Sequence, residues 1–277
     1  MAQSSGTSEH EPMPAEVAPH TPDEEMHPVH FPQTQKFSLD PTYDYLREGW
    51  PQRLGYRAIR CFAHVVLPLY TVFALGVRVH GLSNLRRAGR GGLVLASNHV
   101  HYLGCALIDC LFWSFGRRAY YATLENNFKI PIARHLIRWL GGVPIPQSPH
   151  RMVRFLEEME RALQSGDCVS VYPEGILRPY AEQLHTIRRG AFQLAVRAGV
   201  PLLPICITFR ESRGLHRLLR QKPLIDVRVL EPLQADPSRP QREEIDRLMT
   251  AYRRSMQSCM EEIYSQSAAD PQAEEAL

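Results

Sequence analysis

The stretch "VLASNHVHYLGCALIDC", residues 94–110, joins an apolar run typical of a buried strand to a segment with a helical pattern. Between the two lies a polar loop that contains Asn98, His99 and His101. In an open α/β sheet, ligands bind beyond the carboxyl ends of the strands, which is where this loop would lie. A neutral imidazole can take a proton from a hydroxyl, so His99 is a candidate general base. A hydrogen-bonded loop histidine without chemistry is the alternative that the motif alone leaves open.

The chain beyond this loop alternates between strand-like and helix-like patterns. Short runs rich in apolar or β-branched residues predict strands at residues 93–96, 119–123, 168–172, 202–208 and 225–230. Helical patterns predict helices at residues 103–115, 130–140, 151–164, 188–198 and 241–265. The last helix carries one apolar packing stripe, made of Ile245, Leu248, Met249, Tyr252, Met256, Cys259 and Ile263. Strands separated by helices of this length are typical of a mostly parallel α/β sheet flanked by helices.

The 277 residues, of which 44% are hydrophobic, suffice for one large domain with a sizeable core. We predict this domain at residues 81–266. Residues 1–36 are rich in Pro, Glu, Ser and His and have no apolar period, which predicts a disordered tail. Residues 267–277 are predicted to form a disordered acidic tail. The start of the chain lacks the basic, apolar and small-residue segments of a secretory signal, so we expect the domain in the cytoplasm.

Residues 37–80 are predicted to associate with a membrane through helices. A basic amphipathic segment, "YDYLREGWPQRLGYRAIR", precedes "CFAHVVLPLYTVFALGV", and this run of roughly 17 mostly apolar residues is near the lower limit for a transmembrane span. His64 and Pro68 interrupt the run, and aromatic and arginine residues flank it. These features favour a helix in or on the cytoplasmic face of the cell membrane. A buried core helix is the alternative, because short apolar runs do not distinguish the two.

Charge and cysteine content narrow the classes of partner. A formal net charge of +3 is too small to indicate a nucleic-acid partner. The six cysteines are scattered, with no CxxC pair and no Cys/His grouping at zinc-ligand spacing. We therefore expect no metal site and no bound cofactor.

A second polar constellation, "VSVYPEGILRPY", follows another predicted strand. Glu174 and Gly175 place a carboxylate and a flexible backbone at the same edge of the sheet as His99. Arg178, with Arg188 and Arg189 after it, could bind a phosphate. The alternative for Glu174 is a turn carboxylate that caps a local amide.

Two further stretches complete an ordered set of four. "NFKIPIARHLIRWLGGVPIP" predicts a helix, a Gly-Gly turn and a proline-punctuated strand, and "RRGAFQLAVRAGVPLLPICI" predicts a basic helix start, a helix and a buried strand. In this order, the four stretches resemble the motifs of the glycerophospholipid acyltransferase family over residues 79–230. Asn98 and His99 match its NHxxxxD motif, residues 142–146 match GxxPIxR, and residues 173–175 match PEGTRS. Arg178 lies one place after the arginine of that third motif, and residues 200–205 match the fourth.

The resemblance implies transfer of a fatty acyl group from acyl-coenzyme A or acyl carrier protein to the hydroxyl of a lysolipid, with lysophosphatidic acid as the first candidate. These co-substrates and membrane lipids would be the partners. By the same resemblance, His99 is the general base, and Glu174, Gly175 and Arg178 bind the acceptor. Asn98 could support the histidine.

Two positions depart from the family's motifs. Gly104 stands where the family has the aspartate that orients the histidine, and loss of the equivalent carboxylate in a serine-protease triad lowers turnover about 10⁴-fold. Asp109 lies about 7.5 Å further along a helix and is rotated by roughly 140°, so it is a poor substitute. His101 could hydrogen-bond to His99 without supplying a negative charge. Gln147 replaces the phosphate-binding arginine of the second motif, and Arg151 is the candidate replacement.

Gly104 therefore separates two hypotheses. The first is an active membrane-associated O-acyltransferase whose turnover is reduced, and for which Gly104→Asp is expected to raise turnover by about 10²-fold. The second is a catalytically impaired homologue that binds lipid or acyl-CoA. A soluble hydrolase is disfavoured, because the sequence contains no GxSxG elbow.

Overall fold

A seven-stranded sheet forms the centre of the protein in a computed structural model, which describes residues 39, 42–46, 49–105, 107–108, 117–129, 131–211 and 223–269. The strands are β1 (Arg78–His80), β2 (Leu93–Ser97), β3 (Ala119–Leu124), β4 (Gly142–Ile145), β5 (Cys168–Val171), β6 (Leu202–Arg210) and β7 (Leu224–Val229). Their order across the sheet is β1-β7-β6-β2-β5-β3-β4. Every neighbouring pair is parallel except β6 and β7, which are antiparallel. The predicted mostly parallel α/β sheet is therefore confirmed.

Helices cover both faces of this sheet. They are α1 (Trp50–Leu69), which continues as a π-helical turn at Tyr70–Ala74, then α2 (Leu82–Arg87), α3 (Pro131–Trp139), α4 (Pro149–Gln164), α5 (Gly190–Ala198) and α6 (Gln241–Ala269). A 3-10 turn at Glu125–Lys129 links β3 to α3. All five residues of β2 are buried, as expected for a central strand with both faces covered.

Alternate residues of β2 face two separate apolar clusters. Val94 and Ala96 pack in the cluster that contains residues of α4, α5 and α6, whereas Leu93 and Leu95 pack on the other side with residues of α2. This alternation follows from the two-residue period of a strand. Because both faces of β2 are buried, the loop after Ser97 is positioned by the middle of the sheet.

The predicted apolar stripe of the last helix is confirmed. Its central residues Leu248, Tyr252 and Met256 are fully buried, and Met249 and Ile263 pack against them at the margin. The helix continues to Ala269, so the predicted disordered tail from residue 267 begins too early, because the helical backbone extends past the apolar stripe. Residues 1–36, and the chain from residue 270 onward, lie outside the described residues.

The predicted region 37–80 is only partly helical and is not separate from the domain. Tyr45 and Leu46, which precede α1, are non-helical and buried in the cluster that contains α4. Strand β1 ends the region and pairs with β7 in the sheet. This edge strand makes its hydrogen bonds within the sheet, although the predicted domain starts only at residue 81. The predicted domain division itself stays a prediction.

The predicted helix at residues 103–115 is described in part. Gly104, Cys105, Leu107 and Ile108 have helical backbone, whereas Asp109 and the residues that follow lie outside the described part of the chain. The strands that the sequence predicts all occur within two residues of their predicted bounds, and the proline-punctuated strand is β4. Strand β1 and helix α2 were not predicted, because both are shorter than the window that a periodic pattern needs.

Candidate active site

Asn98 anchors the loop that follows β2. Its side chain is fully buried, its Nδ2 donates to the backbone carbonyl of Ile207 at 2.7 Å, and its Oδ1 accepts from the Ile207 amide at 2.8 Å. Ile207 lies in β6, the neighbour of β2, so the amide side chain continues the sheet pairing where the main chain of β2 turns away. Asn98 thus fixes the position at which the loop that carries His99 leaves the sheet.

The backbone of His99 is held on both sides by the loop after β5. The His99 amide donates to Glu174 Oε1 at 3.3 Å, and its carbonyl accepts from the Arg178 amide at 2.8 Å. One residue further on, the Val100 carbonyl accepts from the Tyr180 amide at 3.0 Å. The structure therefore brings together the two motifs that the sequence places about 75 residues apart.

The imidazole of His99 stacks on the phenol ring of Tyr172. The ring centroids are 4.0 Å apart and the ring planes differ by 12°. The Tyr172 hydroxyl donates to Cys105 Sγ at 3.4 Å. Burial raises the pKa of Tyr172 well above its ordinary value, and the neighbouring Cys105 contributes to the same shift. The side chain that faces the histidine is thus a neutral phenol.

Gly104 is buried against this same hydroxyl. A Cβ atom at position 104 would lie 2.6 Å from Tyr172 Oη, closer than the packing allows. The gain in turnover predicted for Gly104→Asp alone is therefore not expected in this packing, because the new side chain would collide with Tyr172. Tyr172 occupies the space that an aspartate at this position would need.

His101 belongs to the same loop but is used locally. It is buried, and its Nδ1 accepts a hydrogen bond from the Leu103 amide at 3.2 Å. Its carbonyl accepts from the Gly104 amide at 3.0 Å. These bonds form the turn that leads from the loop into the helical segment at Gly104. His101 therefore stabilises this turn, and its predicted support of His99 stays a prediction.

Glu174 is buried beneath the His99 loop. Only 4% of the residue is exposed to solvent. Burial raises the pKa of Glu174, and the amides of His99 and His185 together with the charge of Arg178 oppose that shift. Glu174 Oε1 accepts from the His99 amide and so holds the loop, as the alternative of a capping carboxylate would. The predicted contact of Glu174 with the acceptor stays a prediction.

Exposed cationic side chains lie on the turn after Glu174. Gly175 has a φ of +70°, and a Cβ there would lie 3.2 Å from the Nε of Arg188, so the arginine side chain lies directly against the turn. Arg178 and Arg188 are both exposed. Arg189 instead pairs with Asp246 of α6 at 2.9 Å. Among the described residues, no three His, Cys, Asp or Glu side chains are grouped so that they could hold a metal ion.

The His99 and Glu174 loops lie in a segment that matches a known family. The family model described as Acyltransferase matches residues 76–208. This segment is just under half of the chain and is named the acyltransferase domain after the family that it resembles. The match contains β1 to β5 and most of β6, which are the strands that position both loops.

Two curated relatives resemble part of the acyltransferase domain. Over 153 residues, the chain is 27% identical to the chloroplastic 1-acyl-sn-glycerol-3-phosphate acyltransferase LPAT1 of Arabidopsis thaliana and 26% identical to the chloroplastic enzyme BAT2, of the same description, from Brassica napus. These matches cover 53% of this chain but only 41% and 43% of the relatives. The chain thus matches less than half the length of either relative.

A solved structure has the same fold as the acyltransferase domain and its flanking elements. It is the 1-acyl-sn-glycerophosphate (LPA) acyltransferase PlsC from Thermotoga maritima, which superposes with a TM-score of 0.52 at 22% identity. The superposition covers 79% of this chain and 85% of that chain. The predicted fold, an acyltransferase-like α/β sheet flanked by helices, is therefore confirmed.

Sequence reasoning missed two tyrosines of the acyltransferase domain. In the sequence, Tyr172 ends a predicted strand, and its position directly before the Pro-Glu-Gly turn is the signal that could have placed it beside His99. Tyr180 has a φ of 61° and packs its ring 5.0 Å from that of Phe209. A non-glycine residue in this left-handed region is uncommon and is often found near functional sites.

Arg151 lies apart from the other predicted site residues of the acyltransferase domain. It is in the first turn of α4, which follows β4, and β4 is three strands from β2 in the sheet order. At about 4.8 Å between neighbouring strands, this is a separation of roughly 14 Å between strand axes. The predicted contact of Arg151 with the acceptor stays a prediction, whereas Arg178 is next to His99 through its own backbone.

Proposed function

We propose that the protein transfers a fatty acyl group from acyl-coenzyme A or acyl carrier protein to the hydroxyl of a lysolipid, with lysophosphatidic acid as the first candidate acceptor. The placement of His99 carries the proposal. It lies at the carboxyl end of the central strand β2, bonded through its backbone to the turn that bears Arg178. The match to the acyltransferase family and the activities of the two chloroplastic relatives support the same reaction.

In the proposed reaction, the imidazole of His99 takes the proton from the acceptor hydroxyl. The resulting oxygen nucleophile attacks the thioester carbonyl, and a tetrahedral intermediate forms. The carbon–sulfur bond then breaks, the thiolate takes the proton from the imidazolium, and the products are the new ester and the free thiol. Arg178 and Arg188 are the cationic side chains near this histidine that would bind the phosphate of the acceptor.

A second candidate function follows from the surroundings of Gly104. The hydroxyl of Tyr172 fills the space next to Gly104, and that phenol supplies no negative charge to stabilise an imidazolium. A domain of this kind could bind lipid or acyl-CoA with impaired turnover. The two candidates differ in whether product forms, so one assay separates them.

We propose that the protein acts at the cytoplasmic face of the cell membrane and attaches to it through α1. Among the described residues, the segment Arg53–Ala74 has the length and composition of a membrane span, and only 18% of it is buried. Its outward side chains include Phe62, Val65 and Phe73, which are 67%, 64% and 74% exposed. Leu136 and Trp139 of α3, which contacts α1, are each half exposed. A lipid surface would cover these apolar side chains.

The experiment is an acyl-transfer assay on purified full-length protein with mixed vesicles, labelled lysophosphatidic acid and either acyl-CoA or acyl carrier protein as donor. His99→Ala is expected to lower turnover by about 10²- to 10⁴-fold, because it removes the general base. His80→Ala is the matched control, since His80 is exposed. It ends β1, which runs antiparallel to β2, so it lies at the end of the sheet opposite His99.

Unchanged turnover in His99→Ala would show that His99 is not the base. Saturable binding of acyl-CoA by wild-type protein, without product from any donor and acceptor pair, would establish the impaired binding homologue instead. Parallel assays with other lysolipids report whether the phosphate of the acceptor is required.

A further inference from the structure

Tyr172 lies between His99, the proposed base, and Gly104, the position at which the family has an aspartate. One side of its ring system faces the imidazole of His99, at 4.0 Å between centroids and 12° between planes. Its hydroxyl meets the helical segment at Gly104, where a Cβ would approach to 2.6 Å, and donates to Cys105 Sγ at 3.4 Å. Its backbone directly follows β5, the strand next to β2. Both ends of the phenol are thus fixed by contacts.

We infer that Tyr172 is the positioning residue for His99, that its stacked ring sets the plane of the imidazole, and that Gly104 is present because only glycine leaves room for the Tyr172 hydroxyl. The role in turnover rests on the proposed function. The stacking and the dependence of position 104 on position 172 are properties of the folded protein and can be measured without catalysis.

The contacts explain how a neutral side chain orients the base. Rotation of the imidazole out of the plane of the phenol would lose the face-to-face contact, and rotation of the phenol is opposed by the contacts of its hydroxyl with Gly104 and Cys105. The His99 backbone is separately held by Glu174 and by the Arg178 amide, and the stacked phenol contacts the ring itself. Stacking orients the ring, but it does not replace the charge of a carboxylate.

Two substitutions of Tyr172 separate the ring from the hydroxyl. Tyr172→Leu removes the stacked ring and is expected to lower kcat on the order of 10²-fold with little change in KM, since misplacement of a catalytic group by about 1 Å has an effect of that size. Tyr172→Phe keeps the ring and loses only the hydroxyl contacts that oppose its rotation, so it is expected to lower kcat by only a few-fold. Thermal unfolding of each variant reports whether it folds.

The pairing of positions 104 and 172 is tested by a double-mutant cycle. Gly104→Ala alone is expected to lower the melting temperature by roughly 2–10 °C, because its Cβ would overpack against Oη. Combined with Tyr172→Phe, the same alanine would have Cζ as its nearest ring atom, at 3.4 Å, which is ordinary contact. The double variant is therefore expected to recover most of the stability and turnover that Gly104→Ala loses.

Proton NMR of the His99 ring tests the stacking itself. Ring protons above an aromatic face resonate upfield, and His99→Ala identifies the signal. The upfield shift is expected in wild type and Tyr172→Phe and is expected to be lost in Tyr172→Leu. Wild-type protein that forms no product would overturn the proposed function. The NMR signal would still test the stacking of His99 on Tyr172, and the melting temperatures of the double-mutant cycle would still test the packing of positions 104 and 172.

An active wild type whose kcat is unchanged in a folded Tyr172→Leu variant would overturn the positioning role. A His99 ring signal that does not differ between wild type and Tyr172→Leu would overturn the stacking. Additive losses for Gly104→Ala and Tyr172→Phe would overturn the pairing of the two positions.

Discussion

At the scale of single residues, buried side chains of the candidate site hydrogen-bond to the backbone and fix the position of the His99 loop. Asn98 pairs with both backbone groups of Ile207, and Glu174 accepts from the amide of His99. These two motif residues therefore hold the backbone of the loop. The sequence predicted Asn98 and Glu174 as site residues, but it could not separate a clamp on the loop from a contact to the acceptor, because that depends on which way a buried side chain points.

Glu174→Gln is expected to make stability less dependent on pH. Burial raises the pKa of Glu174 in the folded protein, so the folded state binds its proton more tightly than the unfolded state does. The stability due to this group is fully present below its ordinary pKa of 4.5 and is lost as pH rises through the raised value. Glutamine keeps an oxygen that can accept from His99 and does not titrate.

Urea unfolding of both proteins between about pH 4 and pH 7 measures this effect. The free energy of unfolding of Glu174→Gln should rise relative to wild type as pH increases. Other titrating groups, such as Glu244 with its lowered pKa, are common to both proteins and cancel in the difference. A difference that is constant with pH would show that Glu174 does not titrate as its burial implies.

At the scale of elements, α1 has two unlike faces. Tyr56, Arg60 and Ala63 are buried on one side, where the guanidinium of Arg118 stacks on the Tyr56 ring at 4.7 Å. The opposite side presents large apolar residues to the outside. The sequence predicted a helix here and favoured a membrane-associated helix over a buried core helix. It did not predict which face of α1 packs on the domain, because the buried residues of that face include an arginine and a tyrosine.

Phe62→Asp is expected to weaken binding to vesicles that contain anionic lipid by about tenfold or more, since it removes a large apolar side chain from the exposed side of α1. Cosedimentation with vesicles measures the binding. Gln257→Asp on α6 adds the same charge at an exposed position far along the chain and is expected to bind as wild type does. Equal binding by Phe62→Asp and wild type would argue against α1 as the attachment surface.

At the scale of the whole molecule, the segment before α1 is tied to the far edge of the sheet. Tyr45 packs its ring edge-on against Phe155 of α4 at 5.7 Å, and burial raises its pKa to about 12. The Tyr120 hydroxyl of β3 donates to the Leu46 carbonyl at 3.3 Å. A segment predicted to serve the membrane thus contributes to the core, because two of its apolar side chains fit between α4 and the sheet.

Leu46→Ala is expected to lower the free energy of unfolding by about 2–5 kcal/mol, because Leu46 is 3% exposed and truncation leaves a cavity. Leu54→Ala is the matched control, because Leu54 is 61% exposed on α1 and should change stability by less than about 0.5 kcal/mol. Chemical unfolding followed by tryptophan fluorescence measures both. Equal losses in the two variants would show that the segment before α1 is not part of the core.

The sequence by itself determined the alternation of strands and helices, the edge of the sheet where the site lies, and His99 as its candidate base. Local periodicity suffices for these features, since parallel strands bring their carboxyl ends to one edge. The tertiary structure decided which partners meet there. Tyr172 reaches Gly104, Glu174 turns inward, and Arg151 is three strands away, because these relations depend on strand order and on packing between loops about 70 residues apart.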